Sequence, residues 1–206
     1  YRELIELIAG HEDDPESGLN LPYVSVDRYG GGGDEELLIE YKNASFLLII
    51  LLFKRLESSI AAFEESIDRL IKREEIMRDI AEGKVEFSQE RERIMDFFDS
   101  IDDEGVLDDV DIDQVVEAVE TLGREQRKKI IGDVEDDLID LRKMRRLANE
   151  TLEDEGKDAK AEKLNSLLQN ELSEEKVIVF TQFVPTAKHV FKEITGLDPS
   201  RHQVGE

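Results

Sequence analysis

Apolar residues return at steps of three and four through most of this chain, and that spacing predicts long helices with one buried side. The cleanest run is Ile60, Phe63, Ile67, Leu70, Ile71, Met77 and Ile80, with Glu64, Glu65, Asp68, Arg69, Lys72 and Arg73 mostly outside the stripe. Ser58 or Ser59 supplies its N-cap and Gly83 its stop. A second long helix spans roughly residues 125–153, with Ile130, Ile131, Val134, Leu138, Leu141 and Leu147 on its inner side. Shorter helices are expected over residues 1–9, ended by Gly10, over 111–122, and over 158–172 with Leu164, Leu167, Leu168 and Leu172 inward. Ser88 caps another that carries Ile94, Met95, Phe97 and Phe98. Asp34 caps a helix over residues 35–56, whose unbroken apolar run, 46–53, is closed by Lys54 and Arg55. A bilayer span needs ~20 apolar residues. The run therefore reads as a buried helix.

Two stretches break the helical period. Tyr23 to Val26 has the makings of a brief strand, and Val177-Ile178-Val179-Phe180-Thr181 has the β-branched and aromatic content of a buried parallel strand. A helix over 186–194 follows the second. The fold class expected is mainly α, a bundle of long amphipathic helices with one short βα unit at the C-terminal end. Polar residues 11–21 and the glycines Gly30 to Gly33 separate the first helix from the rest. The organisation expected is 1–33, an N-terminal helix, loop and Gly-rich connector; 34–172, a helical region; and 173–206, the start of an α/β lobe. A parallel strand needs neighbours on its edges. A lone βα unit therefore reads as a lobe cut short, with exposed apolar surface at Val177 to Phe183 and self-association through it.

Charge changes the picture in one respect. The chain has 51 Asp and Glu against 27 Lys and Arg, a formal net charge of -24. Regular apolar spacing argues against a disordered acidic tail. A docking surface for a basic partner would gather the acids, whereas here they are spread along the chain, as in a protein adapted to a salt-rich prokaryotic cytosol. The absence of cysteine fits a reducing interior, and the first residues do not form a signal peptide. The expected location is cytoplasmic, with no membrane contact.

Candidate chemistry is sparse. Four glycines followed by Asp34, Glu35 and Glu36 would repel phosphate. Aligning Gly105 with a calcium-loop glycine puts Ser100 first and Asp111 last, where Asp and a bidentate Glu are needed, so residues 99–113 read as solvated acidic loop. His11, His189 and His202 are too scattered for a metal cluster. Local basic clusters remain: Lys54 and Arg55, and Arg142, Lys143, Arg145 and Arg146 downstream of Arg124, Arg127, Lys128 and Lys129. One reading is helix ion pairs with Glu125, Asp133, Asp137 and Glu150. The other is sequence-nonspecific contact with a DNA phosphate backbone.

Two segments resemble a known family. Leu52-Phe53-Lys54-Arg55-Leu56-Glu57-Ser58-Ser59 with Ala61-Ala62-Phe63 is similar to a helix in the region between the two RecA-like lobes of Swi/Snf-type superfamily-two ATPases. Asp158-Ala159-Lys160 through Leu167-Leu168 to Lys176-Val177-Ile178-Val179-Phe180-Thr181-Gln182-Phe183 resembles the lead-in helix and first strand of the second lobe. The resemblance implies a mainly helical middle piece of a DNA-dependent helicase or translocase. It would brace the remaining motor lobes and touch duplex DNA, with Thr181 and Gln182 near the cleft where the second lobe meets the backbone. ATP and magnesium are implied for the parent protein only. Gly83-Lys84 is followed by Val85 and Gly156-Lys157 by Asp158, so neither gives a Walker A loop, and this chain by itself is expected to be non-catalytic and without cofactor. The rival reading is a freestanding acidic helical interaction module.

Overall fold

A computed structural model describes residues 2–10, 18–24, 26–30, 35–84, 112–153 and 158–194. The described residues form seven α-helices: α1 (Arg2–Ala9), α2 (Glu35–Ser58), α3 (Ile60–Ala81), α4 (Ile112–Thr121), α5 (Arg124–Glu153), α6 (Ala159–Ser166) and α7 (Val184–Ile194). Two 3₁₀ turns, Pro22–Val24 and Val26–Tyr29, and a π turn at Leu167–Glu171 complete them. The mainly α class expected from the periodicity is the class observed. Ser88 and its helix, Asp34, Gly31 to Gly33, His11, His202 and the acidic stretch through Asp111 fall outside the described residues.

Local chemistry explains where several helices start and stop. Gly10 (φ 81°) and Gly83 (φ 70°) both adopt the left-handed backbone that favours glycine, directly after α1 and α3. At Gly83 the Lys84 N–H reaches back to the Asp79 carbonyl at 2.9 Å and the Gly83 N–H to that of Ile80 at 3.0 Å, which closes α3 in a Schellman-type turn. The start of α5 is capped in reverse: the Gln126 side chain accepts from the Gly123 N–H at 2.8 Å, while Arg127 N–H bonds the Gly123 carbonyl at 3.0 Å. A single residue, Ser59, separates α2 from α3.

The chain forms two compact units, and each draws on more than one of the three expected segments. Unit 1 consists of Tyr1–Leu51 and Ile67–Met144. Its core gathers Leu4 and Ile8 of α1, Leu21 and Tyr23, the α3 stripe from Ile67 to Ile80, Val116 and Val119 of α4, and Ile130, Val134, Leu138 and Leu141 of α5. Each such enclosed aliphatic side chain is worth ~1.5–3 kcal/mol. Unit 2 consists of Leu52–Ser66 and Arg145–Glu206, with Leu52, Leu56, Ile60, Phe63, Ala148, Ala161 and Phe183 buried.

Four expectations are corrected. Among the described residues there is no strand, so the βα unit is present only as its helix. Val177 to Phe180 lies exposed, as expected for that stretch (Ile178 76%, Phe180 88%), whereas Phe183 is buried. Val24 and Val26 are buried in 3₁₀ turns instead of pairing. The apolar run of α2 is buried on one side only: Leu48 and Leu52 are enclosed, whereas Phe46 (61%) and Leu47 (52%) face solvent. On the other two helices, Ile131, Leu147, Leu164, Leu167 and Leu168 are only partly covered, and Leu172 is exposed.

Candidate functional site

Within unit 2 the two family-like segments meet. The backbone ladder runs up to and away from Ser59, whose N–H bonds the Arg55 carbonyl at 3.0 Å and whose own carbonyl accepts from Phe63 N–H at 3.1 Å. Ser59 Oγ accepts from Ala62 N–H at 3.1 Å and so caps α3. The same hydroxyl lies 2.8 Å from Thr186 Oγ1, and Ser58 Oγ lies 2.9 Å from it. Ser59 and Thr186 are both buried. Beside this hydroxyl trio, the Arg55 guanidinium sits 5.2 Å from the centre of the Phe183 ring, which is itself buried. Phe183 N–H in turn donates to Thr181 Oγ1 at 3.3 Å.

The lead-in helix is tied to α7 by one carboxylate. Asp158 caps α6 by accepting from Ala161 N–H at 3.0 Å, and its other oxygen is 2.6 Å from His189 Nε2. Burial pushes the Asp158 carboxyl up, but the Ala161 N–H and the His189 side chain outweigh it and hold the carboxyl below its ordinary value. His189 is thus a packing histidine on α7, with a carboxylate partner that the sequence did not reveal.

The sequence-derived DNA candidates are placed as follows. Lys54, Thr181 and Gln182 are exposed. Arg142 and Lys143 belong to unit 1, Arg145 and Arg146 to unit 2. Arg142 pairs with Glu75 at 2.9 Å, Lys143 with Glu3 at 2.9 Å, and Arg146 with Glu150 at 3.9 Å. Upstream, Lys128 pairs with Glu125 at 2.9 Å, and Arg127 donates to the carbonyls of Leu122 and Glu120. Exposed pairs of this kind contribute ~0–1 kcal/mol.

Two carboxylic acids, Asp137 of α5 and Glu74 of α3, are inside unit 1. Asp137, expected as a surface ion-pair partner, is 1% exposed. It accepts from Asn20 N–H and Leu21 N–H, both at 2.7 Å, and from the Asn20 amide at 3.2 Å. Those bonds hold Leu21 at φ 48°, a backbone that bulky residues rarely adopt. Burial raises the Asp137 carboxyl to about 6, although the bonds from Asn20 and Leu21 pull it down. Glu74 of α3 is fully enclosed, and burial first, then the nearby Asp137 charge, pushes it well above the ordinary carboxyl range. A signal for both existed in the sequence. The α3 stripe jumps from Ile71 to Met77, and the helical position between them is Glu74; the α5 stripe passes from Val134 to Leu141 through 137 and 138.

Among the described residues no group of three or more His, Asp or Glu side chains is placed to hold a metal ion, and no helix is long and apolar enough to cross a membrane. No protein-family model, no curated protein and no solved structure matches the chain.

Proposed function

We propose that this chain is a non-catalytic middle piece of a Swi/Snf-type DNA-dependent ATPase, bracing the motor lobes and touching the backbone of duplex DNA. The observation that carries the reading is the meeting of its two family-like segments: Ser58 and Ser59 of one bond Thr186, three residues after the other ends, and Arg55 of one stacks on Phe183 of the other. The two segments are far apart in the chain, 127 residues at the Ser59–Thr186 contact. In a motor of that family the inter-lobe helix and the root of the second lobe would be neighbours, so a contact between them is what the reading requires. The exposed apolar stretch Val177 to Phe180 would be covered in the parent protein by other strands of the second lobe. ATP and magnesium would bind lobes that this chain does not supply, and the basic side chains of α5 would exchange their carboxylate partners for phosphates.

A second reading, a freestanding acidic helical interaction module, draws on the ion pairs of Arg142, Lys143 and Arg146 and on the net charge of -24. Fluorescence anisotropy with a random-sequence duplex separates the two. The motor reading expects binding that weakens steeply with salt, at a log–log slope of about 0.9 per phosphate contacted, and is reduced when Arg142, Lys143, Arg145 and Arg146 are made neutral. Salt-independent binding, or none at low salt, favours the interaction module.

A further inference from the structure

Both oxygens of the Glu74 carboxyl are buried and meet no hydrogen-bond partner, on a side chain with no exposed surface. The charged and titratable groups that act on it come from three elements, Tyr23 of the first 3₁₀ turn, Arg28 of the second and Asp137 of α5, and Arg73 precedes it on α3. Their other bonds matter. Arg28 is committed to Asp133 at 3.1 Å, and Arg73 lies over the Tyr23 ring at 5.9 Å. Asp137 spends its lone pairs on Asn20 and Leu21. A carboxylate at Glu74 would therefore be a second buried negative charge, next to Asp137 and without a donor of its own, an arrangement in which only one of the two groups ionises readily.

We propose that Glu74 is a proton-binding switch in unit 1: it is held as the neutral acid at neutral pH, and unit 1 loosens at its 3₁₀ turns when rising pH removes that proton. The chemistry balances simply, with one O–H broken and the proton passed to water. The raised value that burial gives Glu74 agrees with the geometry. A raised carboxyl binds a proton in the folded state that the unfolded chain has already lost. Stability is therefore full below the ordinary carboxyl range and falls as pH rises, about tenfold in the folding constant per pH unit, until the native group ionises. Asp137 acts in the same sense, but only up to about pH 6. The loss above that pH that Glu74→Gln removes is the part that belongs to Glu74. The segment released is the one that Asp137 grips, through Asn20 and Leu21.

The test uses the full chain labelled with ¹³C-carboxyl glutamate. At pH 7 infrared difference spectra should contain one protonated carboxyl band, which is missing from Glu74→Gln; absence of that band in the wild type overturns the proposal. All four tyrosines lie in the stretches that make unit 1, so near-UV circular dichroism in urea follows that unit. Wild-type unit 1 should lose stability from pH 6 to pH 9, whereas Glu74→Gln should be flat there and at least as stable at pH 9. Amide exchange at Asn20 and Leu21 should quicken with pH beyond the intrinsic base-catalysed rise in the wild type only. A Glu74→Gln variant that keeps the wild-type pH dependence overturns the switch, even if it is less stable throughout.

Discussion

Removing the Thr186 hydroxyl probes the contact on which the functional reading rests. Thr186→Val keeps the shape and deletes Oγ1, so Ser58 Oγ and Ser59 Oγ each lose a partner, at 2.9 and 2.8 Å. Ser59 keeps its bond from Ala62 N–H and Ser58 can turn to water, so the variant loses the net worth of about two neutral bonds. At ~0.5–1.5 kcal/mol each, that is ~2 kcal/mol. Ser59→Ala removes one of the same bonds together with the α3 cap, at ~1–2 kcal/mol. Because the two variants share a bond, the double variant should cost about 1 kcal/mol less than their sum. Urea unfolding by far-UV circular dichroism gives the totals, and hydrogen exchange by mass spectrometry localises the loss to the start of α3 and to α7. Additivity to within ~0.3 kcal/mol, or a loss of protection confined to one helix, would mean that the segments do not meet and would refute the reasoning.

Other outcomes follow from the same geometry. A Cβ on Gly18 would sit 2.7 Å from Gly10 N and 2.8 Å from the Ala9 carbonyl carbon, so Gly18→Ala should destabilise unit 1 by about 1–3 kcal/mol, read by tyrosine near-UV circular dichroism in urea. Asp158→Ala should cost ~1 kcal/mol or more by loss of the α6 cap and of the His189 bond, measured by urea unfolding at pH 7. The Asp158 value is lowered by folding, so its contribution is present above the ordinary carboxyl range and fades as pH falls through the lowered value; the penalty should shrink in acid. Asp137 has the opposite sign. Between its ordinary value of 3.8 and about 6, Asp137 should weaken unit 1 as pH rises, by up to ~3 kcal/mol, and Asp137→Asn should remove that share of the slope in a pH series of unfolding curves and leave the share that Glu74 contributes.

The features that could be read in advance are those set by local periodicity. The stripe from Ile60 to Ile80 is buried at every named position, and Gly10 and Gly83 end their helices as glycines with positive φ. What misled was composition without a partner. The β-branched run at 177–181 expresses a preference for a pleated surface, but a strand exists only with a ladder beside it, and none lies among the described residues. Likewise the all-apolar turn of α2 implies burial on every side, yet only Leu48 and Leu52 of that run are enclosed, while Phe46 and Leu47 face solvent. The contacts that assemble the candidate site join residues far apart in sequence: Ser58 with Thr186, Asp158 with His189, Arg142 with Glu75. No local pattern announces them. Glu74 and Asp137 were legible as carboxylates standing in apolar stripes, a conflict between chemistry and register that marks an unusual interior.

The most direct measurement is ATP hydrolysis by the product of the complete genomic reading frame that contains this sequence, with and without duplex DNA, beside the 206-residue chain alone. The proposed role predicts hydrolysis stimulated by duplex DNA in the complete product, reduced by Thr186→Val with Ser59→Ala, and none by the isolated chain. A complete product that hydrolyses no ATP with duplex DNA present would contradict it.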